Sequence, residues 1–245
     1  MDRERVALVT GSATGIGRAV AWRFASLGFA VTVNYSKSRA EAEETADGVR
    51  ERGGEALVIQ ADVADDTAVR AMVERTAEEF GGLDVLVNNA ATTFFVAHHD
   101  LEGLTEQVWD EILDVNLKGT IFACRAAMPY LKARKGNIVN IASVAGVAGS
   151  GSSIAYAASK GGVITMTKSL AKAFAPEVRV NAVAPGPVQT RWLADHQDMV
   201  EQAMKSTPLK RPASADDIAD VTLFLANGTT LMTGQVLVAD GGRTI

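Results

Sequence analysis

Seven short apolar runs alternate with helical stretches along this chain of 245 residues. Continuous apolar runs are typical of strands buried on both faces, and parallel strands need helical crossovers between them. The pattern therefore predicts an α/β fold with one parallel sheet covered by helices on both faces. The predicted strands are 6–10, 30–34, 56–60, 85–88, 137–141, 179–183 and 235–238. The predicted helices lie near 15–27, 39–52, 66–80, 105–132, 153–175 and 214–226.

Size and composition favour one globular domain that spans residues 1–245. The chain is 47% apolar and 22% charged, and we find no linker, internal repeat or apolar run of about 20 residues. The first ten residues lack a signal-peptide pattern, so we expect a cytoplasmic protein without a membrane partner. A net charge of −5 without a basic block argues against nucleic acid. The single cysteine, Cys124, excludes an internal disulfide and a cysteine-based metal cluster, and it is typical of a buried hydrophobe.

A glycine-rich turn joins the first strand to the first helix. Its spacing is G-x-x-x-G-x-G, and its candidate ligand-binding residues are Gly11, Ser12, Thr14, Gly15, Ile16 and Gly17. Glycines permit positive φ angles and a close approach of the backbone to a ligand, while free N–H groups at a helix start attract phosphate. In this position the turn favours dinucleotide binding over an ordinary connection.

The loop after the second strand bears on the choice of dinucleotide. Tyr35, Ser36, Lys37 and Ser38 supply hydroxyls and a cation but no carboxylate, with Arg39 following. An acidic residue here would accept the ribose hydroxyls of NAD, whereas a 2′-phosphate needs small or basic groups. NADP(H) is therefore favoured and NAD(H) is the alternative, unless the loop is merely a solvated start of a helix. After the third strand, Asp62 and Val63 are placed to flank an adenine. The alternative for Asp62 is that it caps the following helix.

Two asparagine positions stand out. Asn89 and Ala90 follow the fourth strand, where they either form a turn or supply a floor for the cofactor. Asn116 lies inside a strongly helical stretch, although asparagine competes there for backbone hydrogen bonds. We expect Asn116 to kink that helix and to expose a carbonyl group to water.

Tyr156 and Lys160 are four residues apart, so they share one face of the predicted helix. A tyrosine with a reference pKa of roughly 10 is a poor acid or base at neutral pH, and a nearby cation would lower that pKa. The pair thus predicts a proton-transfer site, against the alternative of a half-buried tyrosine on a surface helix. The fifth strand delivers Ser143 thirteen residues before Tyr156, on a loop of small residues.

In this order, the glycine-rich turn, Asn88-Asn89-Ala90, Asn116, Ser143, Tyr156, Lys160 and Pro185-Gly186 resemble the short-chain dehydrogenase/reductase family. The resemblance covers nearly the whole chain, and it is strongest to the 3-oxoacyl-(acyl-carrier-protein) reductases. It implies a Rossmann-like, doubly wound sheet of seven parallel strands that binds NAD(P). It also implies a homotetramer.

The resemblance implies a role for each matching residue. Tyr156 would be the general acid in ketone reduction or the base in alcohol oxidation, and Lys160 would lower its pKa and bind the nicotinamide ribose. Ser143 would polarise the substrate oxygen, and Asn116 would hold a water that links Lys160 to solvent. Cofactor contacts would also come from the segment after the sixth strand, at Pro185, Gly186, Val188 and Thr190.

Three positions depart from the family pattern. Ala91 replaces a glycine near the cofactor, and Thr14 stands where many NADPH-dependent members carry a basic residue. Members that act on acyl carrier protein present basic residues, for which this chain offers only Lys172 and Arg125. We therefore expect a small-molecule carbonyl or alcohol substrate and treat the carrier protein as the lesser alternative.

The variable loops are 92–104, 144–155 and 188–210. The last contains Trp192, Met199 and Met204 and is predicted to be a substrate lid, unless these side chains simply pack on the domain. His98 and His99 lie near Phe94 and Phe95, but adjacent histidines on an extended segment point to opposite sides and lack a third ligand. We predict no metal.

These features favour an NADP-preferring carbonyl reductase, of the 3-oxoacyl or another type, or an alcohol dehydrogenase, that uses Ser143, Tyr156 and Lys160. One alternative is a catabolic, NAD-dependent sugar or alcohol dehydrogenase. A non-redox epimerase or dehydratase would also use Tyr and Lys on one helix, but such enzymes generally need a longer C-terminal substrate domain. A nucleotide-binding regulatory protein would not need the four catalytic residues together.

Overall fold

The sheet has seven strands, all parallel, in the computed structural model, which describes residues 5–193 and 197–245. The strands are β1 (Arg5–Val9), β2 (Phe29–Tyr35), β3 (Ala56–Gln60), β4 (Val85–Asn88), β5 (Asn137–Ile141), β6 (Arg179–Pro185) and β7 (Val236–Ala239). Their order across the sheet is β3-β2-β1-β4-β5-β6-β7. The doubly wound sheet and all seven predicted strands are confirmed.

Helices connect successive strands and cover the sheet. They are α1 (Gly15–Ala25), α2 (Arg39–Glu51), α3 (Asp66–Phe80), α4 (Glu106–Leu113), α5 (Gly119–Arg134), α6 (Ala145–Ala148), α7 (Ile154–Phe174), α8 (Gln197–Ser206) and α9 (Ala215–Leu223). None of the helices in the described ranges is both long and apolar enough to cross a bilayer.

The core lies on both faces of the sheet, as strand β1 shows. Ala7 and Val9 point into one buried cluster, while Val6 and Leu8 point into the other. All four side chains are completely buried, which explains why the strands are continuous apolar runs rather than alternating ones. Burial of a side chain such as Leu8 contributes roughly 1.5–3 kcal/mol to the free energy of unfolding.

The direction of winding reverses at β1, which pairs with β2 on one side and with β4 on the other. Connections on the two sides of such a point run to opposite faces, which opens a crevice beyond the carboxyl ends of the strands. Residues that follow β1, β2, β4, β5 and β6 therefore converge at one edge of the sheet.

The predicted helix 105–132 differs from the structure in its middle. A π-helical turn, Asp114–Lys118, separates α4 from α5, and the helix ends at Arg134. Asn116 lies inside this turn. The expected irregularity is therefore present, but as an inserted residue in the helical ladder, and π-turns of this kind are frequent at functional sites.

The predicted loops contain more helix than the sequence pattern indicates. α6 interrupts the loop 144–155, and the predicted lid 188–210 contains a 3₁₀ turn, Arg191–Leu193, followed by α8. Residues 194–196 and the side chain of Met199 lie outside the described part of this lid.

Candidate active site

A cavity of about 1210 Å³ opens at the carboxyl edge of the sheet. Pockets for one small molecule are typically about 300–1,000 Å³, so this cavity has room for a large cofactor and a substrate. Nineteen predicted site residues line it: Gly11, Thr14, Gly15, Ile16, Tyr35, Ser36, Lys37, Ser38, Asp62, Val63, Asn89, Ala90, Ser143, Tyr156, Lys160, Pro185, Gly186, Val188 and Thr190. The other three, Ser12, Gly17 and Asn116, lie behind its wall.

The glycine-rich turn is tied to the end of β2 through Asn34. The Gly11 N–H donates to Asn34 Oδ1 at 2.9 Å, and the Ser12 N–H donates to the Asn34 carbonyl at 2.9 Å. The Ser12 hydroxyl is buried and donates to the Val9 carbonyl at 2.8 Å. The expectation of a ligand contact from Ser12 is thus not supported by its position, because both of its donors are already used within the protein.

Asn89 supports the same turn from β4. Its Nδ2 donates to the Thr10 and Gly11 carbonyls at 3.0 and 2.9 Å. A Cβ on Gly17 would lie 2.6 Å from that Nδ2, so Gly17 is required for packing rather than for contact with a ligand. A Cβ on Gly11 would lie 2.8 Å from the Ala90 Cα, which shows how closely the turn approaches the β4 loop.

The start of α1 is suited to bind an anion. Thr14 occupies the N-cap, but its side chain makes no capping hydrogen bond, and the first turn of α1 contains no acidic residue. Gly15 and Ile16 face the cavity. Backbone N–H groups and the positive end of the helix dipole therefore point into the cavity, as a pyrophosphate requires.

The loop after β2 forms the next part of the wall, from Tyr35 to Ser38. Lys37 is exposed, and the Ser36 carbonyl accepts a hydrogen bond from Gln60 Nε2 at 3.0 Å. Ser38 precedes α2 and provides no side-chain cap. These residues present a cation and hydroxyls at one end of the cavity.

Asp62 does not cap α3, so that alternative is wrong. The N-cap is Asp65, whose carboxylate accepts from the Thr67 and Ala68 N–H groups, whereas Asp62 Oδ1 accepts from the Ala64 N–H at 3.0 Å. Asp62 is exposed on the cavity wall beside the buried Val63. An acceptor next to an apolar surface is what an adenine ring would need.

The start of α7 positions Tyr156. Ser153 is buried at the N-cap, and its hydroxyl accepts from the Tyr156 N–H at 3.2 Å. Ser143 follows β5, and its side chain hydrogen-bonds the Tyr156 hydroxyl. The short helix α6 packs so closely on α7 that a Cβ on Gly146 would lie 2.5 Å from the Gly161 nitrogen. This packing brings the Ser143 loop against the tyrosine.

Lys160 is buried one turn further along α7, with its Nζ 5.8 Å from the centre of the Tyr156 ring. Its Nζ donates to the Ile141 carbonyl at 2.8 Å. Burial lowers the pKa of Lys160 to about 8, because the charged amine loses its hydration.

The pKa of Tyr156 shifts in the direction opposite to the prediction. Burial raises this pKa to about 12, and the hydrogen bond from Ser143 opposes the rise. Loss of hydration disfavours the phenolate more than Ser143 favours it, so the hydroxyl keeps its proton at neutral pH. In this structure Tyr156 is therefore a buried phenol that carries its proton.

Asn116 acts on the backbone of the β4 loop. Its Oδ1 accepts from the Thr92 N–H at 2.8 Å, and its Nδ2 donates to the Thr92 carbonyl and to Ser159 Oγ, each at 3.0 Å. Its own carbonyl accepts from the Thr120 hydroxyl at 2.7 Å. The Asn116 carbonyl itself therefore has a protein donor.

Aromatic side chains line the cavity beside Tyr156. The rings of Trp192 and Tyr156 are 6.2 Å apart between centroids, and Phe95 also lines the wall. The position of Trp192 supports its predicted place over the cleft. Within the described ranges, no group of three or more metal-ligating side chains is found, and His98 and His99 are exposed.

Sequence reasoning missed two features of the cavity. Arg191 lines the wall next to Ser38, although nothing in the pattern of residues 188–210 sets it apart from other surface arginines. The cavity is also lined by Glu106, Asp110, Glu111 and Asp114, which come from α4 and the π-turn. Helical spacing groups these carboxylates, but only the fold shows that they face the cavity.

Comparisons with known proteins show which proteins this chain is similar to. A family model described as enoyl-(acyl carrier protein) reductase matches residues 11–244. A ketoacyl reductase assigned to the granaticin polyketide synthase of Streptomyces violaceoruber is 45% identical, over 97% of this chain and 95% of that protein. The 3-oxoacyl-(acyl-carrier-protein) reductase of Staphylococcus aureus is 40% identical, over 99% of each.

A solved structure is similar over the whole domain. The crystal structure described as a short-chain dehydrogenase/reductase from Burkholderia xenovorans superposes with a TM-score of 0.93 at 37% identity, and it covers 99% of each chain.

Proposed function

Because the chain belongs to the short-chain dehydrogenase/reductase family and is thus an oxidoreductase acting on C=O or CH–OH groups, we propose that it is an NADP-preferring carbonyl reductase. The observation that carries the proposal is the grouping of Ser143, Tyr156 and Lys160 on one wall of the large cavity. The proposed acid, Tyr156, lies between a hydroxyl donor and a buried amine.

Membership of the family implies a nicotinamide cofactor, and the cavity fits one. Gly11 and Ala90 pack so closely on the cavity wall that a Cβ on Gly11 would lie 2.8 Å from the Ala90 Cα, and the uncapped start of α1 supplies donors for a pyrophosphate. When bound, the nicotinamide would supply or accept the hydride. Ser36, Lys37 and Ser38 favour the 2′-phosphate of NADP, because a cation and hydroxyls complement its charge.

The three catalytic side chains would divide the work. Hydride arrival at a carbonyl carbon builds negative charge on the oxygen, which Ser143 stabilises as a hydrogen-bond donor. Tyr156 carries its proton at neutral pH and would give it to this oxygen. The protonated amine of Lys160 stabilises the phenolate left behind. Asn116 holds Thr92 and Ser159 in place around this group.

The substrate that we propose is a 3-oxoacyl-type or other small carbonyl compound. Arg125, one of the two cations considered for an acidic carrier protein, is engaged with Asp66 at 2.6 Å. The cavity wall carries four carboxylates, Glu106, Asp110, Glu111 and Asp114, of which only Asp114 is paired with a described cation, Lys118, at 2.6 Å. Like charges at a contact surface disfavour association, so an acidic carrier would be repelled.

Two properties remain proposals that rest on the family. We propose a homotetramer, which light scattering coupled to gel filtration would detect by its mass. We also propose a cytoplasmic location, which fractionation of the native cells would test.

The function is tested by fluorescence titration with NADPH and NADH, followed by absorbance assays. A panel of ketones should include a 3-oxoacyl N-acetylcysteamine thioester and the same acyl group on a carrier protein. We expect tighter binding of NADPH and faster reduction of the free thioester. A preference for NADH would favour the catabolic dehydrogenase instead, and failure to bind either cofactor would refute the enzymatic proposal.

A further inference from the structure

Three consecutive residues that line the cavity, Thr190, Arg191 and Trp192, contact three different parts of its wall. A Cβ on Gly15 would lie 3.4 Å from Thr190 Cγ2, so Thr190 covers the start of α1. Arg191 reaches the β2 loop, and the Trp192 ring lies beside Tyr156. Arg191 and Trp192 belong to one 3₁₀ turn, in which successive side chains diverge by about 120°.

Arg191 makes two polar contacts at the β2 end of the cavity. Its Nη2 donates to Ser38 Oγ at 3.3 Å, and its Nη1 lies 3.6 Å from Glu41 Oε1. The Arg191 side chain is 61% exposed and that of Glu41 is 41% exposed, so solvent weakens this ion pair. Among the described residues, the guanidinium therefore has no strong partner to hold it away from a ligand.

The charge pattern around Arg191 suits a phosphate monoester. Ser36, Lys37 and Ser38 line the same cavity, and Ser38 contacts Arg191 directly. A guanidinium binds phosphate through two parallel N–H groups, which a lysine cannot reproduce. Glu41 is the opposing charge, and it begins α2 near the position where ribose hydroxyls would be read.

We propose that Arg191 determines cofactor choice by binding the 2′-phosphate of NADPH together with Ser38, while Glu41 opposes it. This inference rests on the proposed function and adds a residue from the segment after β6 to the loop after β2. A cofactor without the 2′-phosphate would leave Arg191 paired with Glu41. The two residues should therefore act on cofactor preference in opposite directions.

The test measures binding of fragments by calorimetry, so that neither the nicotinamide nor turnover contributes. The probes are adenosine 2′,5′-bisphosphate and AMP, which share the adenosine and differ in the 2′-phosphate. For Arg191→Ala, we expect the affinity for the bisphosphate to fall about tenfold to a hundredfold, with little change for AMP. Arg191→Lys should recover only part of the loss. Glu41→Gln should tighten binding of the bisphosphate.

The matched control is Arg50→Ala, which removes an exposed arginine paired with Asp47 at the far end of α2. It changes the net charge equally and should leave both affinities unchanged. Melting temperatures of all variants show whether the fold is retained.

Equal losses for both probes, or no loss in Arg191→Ala, would overturn the role of Arg191 while leaving the enzymatic proposal standing. Failure of the unmodified protein to bind either probe or NADPH would instead count against the proposed cofactor site itself. Two results together support the inference. Arg191→Ala should lose affinity for the bisphosphate but not for AMP, and Glu41→Gln should gain affinity for the bisphosphate.

Discussion

Lys160 donates a hydrogen bond to the carbonyl of Ile141 at 2.8 Å, which ties α7 to the last residue of β5. Ser143 follows Ile141 by two residues, and Tyr156 precedes Lys160 by one helical turn. One buried hydrogen bond thus sets the distance between the two elements that carry the proposed catalytic groups. It also holds an amine in a place where burial lowers its pKa to about 8.

Replacing Lys160 by Met should change how stability depends on pH. The folded-state pKa of Lys160 is about 8, against an ordinary value of 10.5. Between these values the unfolded chain binds more protons, so the Lys160 contribution to the free energy of unfolding rises as pH increases from 8 to 10.5. The wild type should therefore gain stability as pH rises, whereas Lys160→Met lacks this titrating group. We expect the free energy of unfolding of Lys160→Met, minus that of the wild type, to fall by roughly 2 kcal/mol between pH 7 and 10.

Urea denaturation at a series of pH values measures this difference. Lys168→Met, on an exposed position of the same helix, is the control and should show no such trend. Tyr156 is present in the wild type and in Lys160→Met. Its titration therefore contributes equally to the stability of both proteins, apart from any interaction between Tyr156 and Lys160. A difference that stayed constant across the range would show that Lys160 is not held in a dehydrated site.

Sequence patterns predicted the strands and helices because both faces of the sheet are buried, which leaves continuous apolar runs such as 85–88. They also placed Tyr156 and Lys160 together, since helical spacing alone puts them on one face. The position of Arg191 beside Ser38 was not predictable, because the two residues are 153 positions apart and meet only through the folded chain. The Tyr156 pKa was predicted in the wrong direction because burial is a tertiary property.

The chemistry of the glycine-rich turn was also predicted only in part. Its glycine spacing indicated a close approach to a ligand, but the pairing of the Gly11 and Ser12 N–H groups with Asn34 depends on the neighbouring strand. A periodicity argument contains no information about which donors a second strand will satisfy. The available donors therefore shift to the start of α1.

Gly11→Ala should reduce the affinity for the cofactor by more than a glycine substitution that introduces backbone strain alone. The φ angle of Gly11 is +61°, and the added Cβ would lie 2.8 Å from the Ala90 Cα. The control is Gly28→Ala, because Gly28 has a φ of +73° with no heavy atom within 4 Å of the added Cβ. Both variants should lose about 1 kcal/mol or more of stability from strain. Only Gly11→Ala should weaken NADPH binding, by tenfold or more in a fluorescence titration.

Equal loss of NADPH affinity in the two variants would mean that general destabilisation, not the clash of the added Cβ with Ala90 on the cavity wall, is responsible.

Ser153→Ala should lower turnover through the position of Tyr156. The Ser153 hydroxyl caps α7 on the Tyr156 N–H, and removal of an N-cap costs about 1 kcal/mol. Ser214 caps α9 in the same way, within a capping box with Asp217, so Ser214→Ala is the matched control. We expect both variants to lower the melting temperature by a few degrees. Initial rates with a ketone should fall several-fold in Ser153→Ala alone.

A comparable loss of rate in Ser214→Ala would show that turnover follows global stability rather than the geometry of the first turn of α7.

The most direct test of the proposed reaction is the replacement of Tyr156 by Phe, with Tyr130→Phe as the control. Both changes remove one phenolic hydroxyl, but Tyr130 lies on α5 among partly buried apolar residues away from the cavity. Ketone reduction is followed as loss of NADPH absorbance, alongside a fluorescence titration with NADPH. We expect Tyr156→Phe to bind NADPH within about twofold of wild type while turnover falls by 10² or more, because the general acid is lost. Tyr130→Phe should retain its activity. Substantial turnover by Tyr156→Phe would contradict the assignment of Tyr156 as the proton donor.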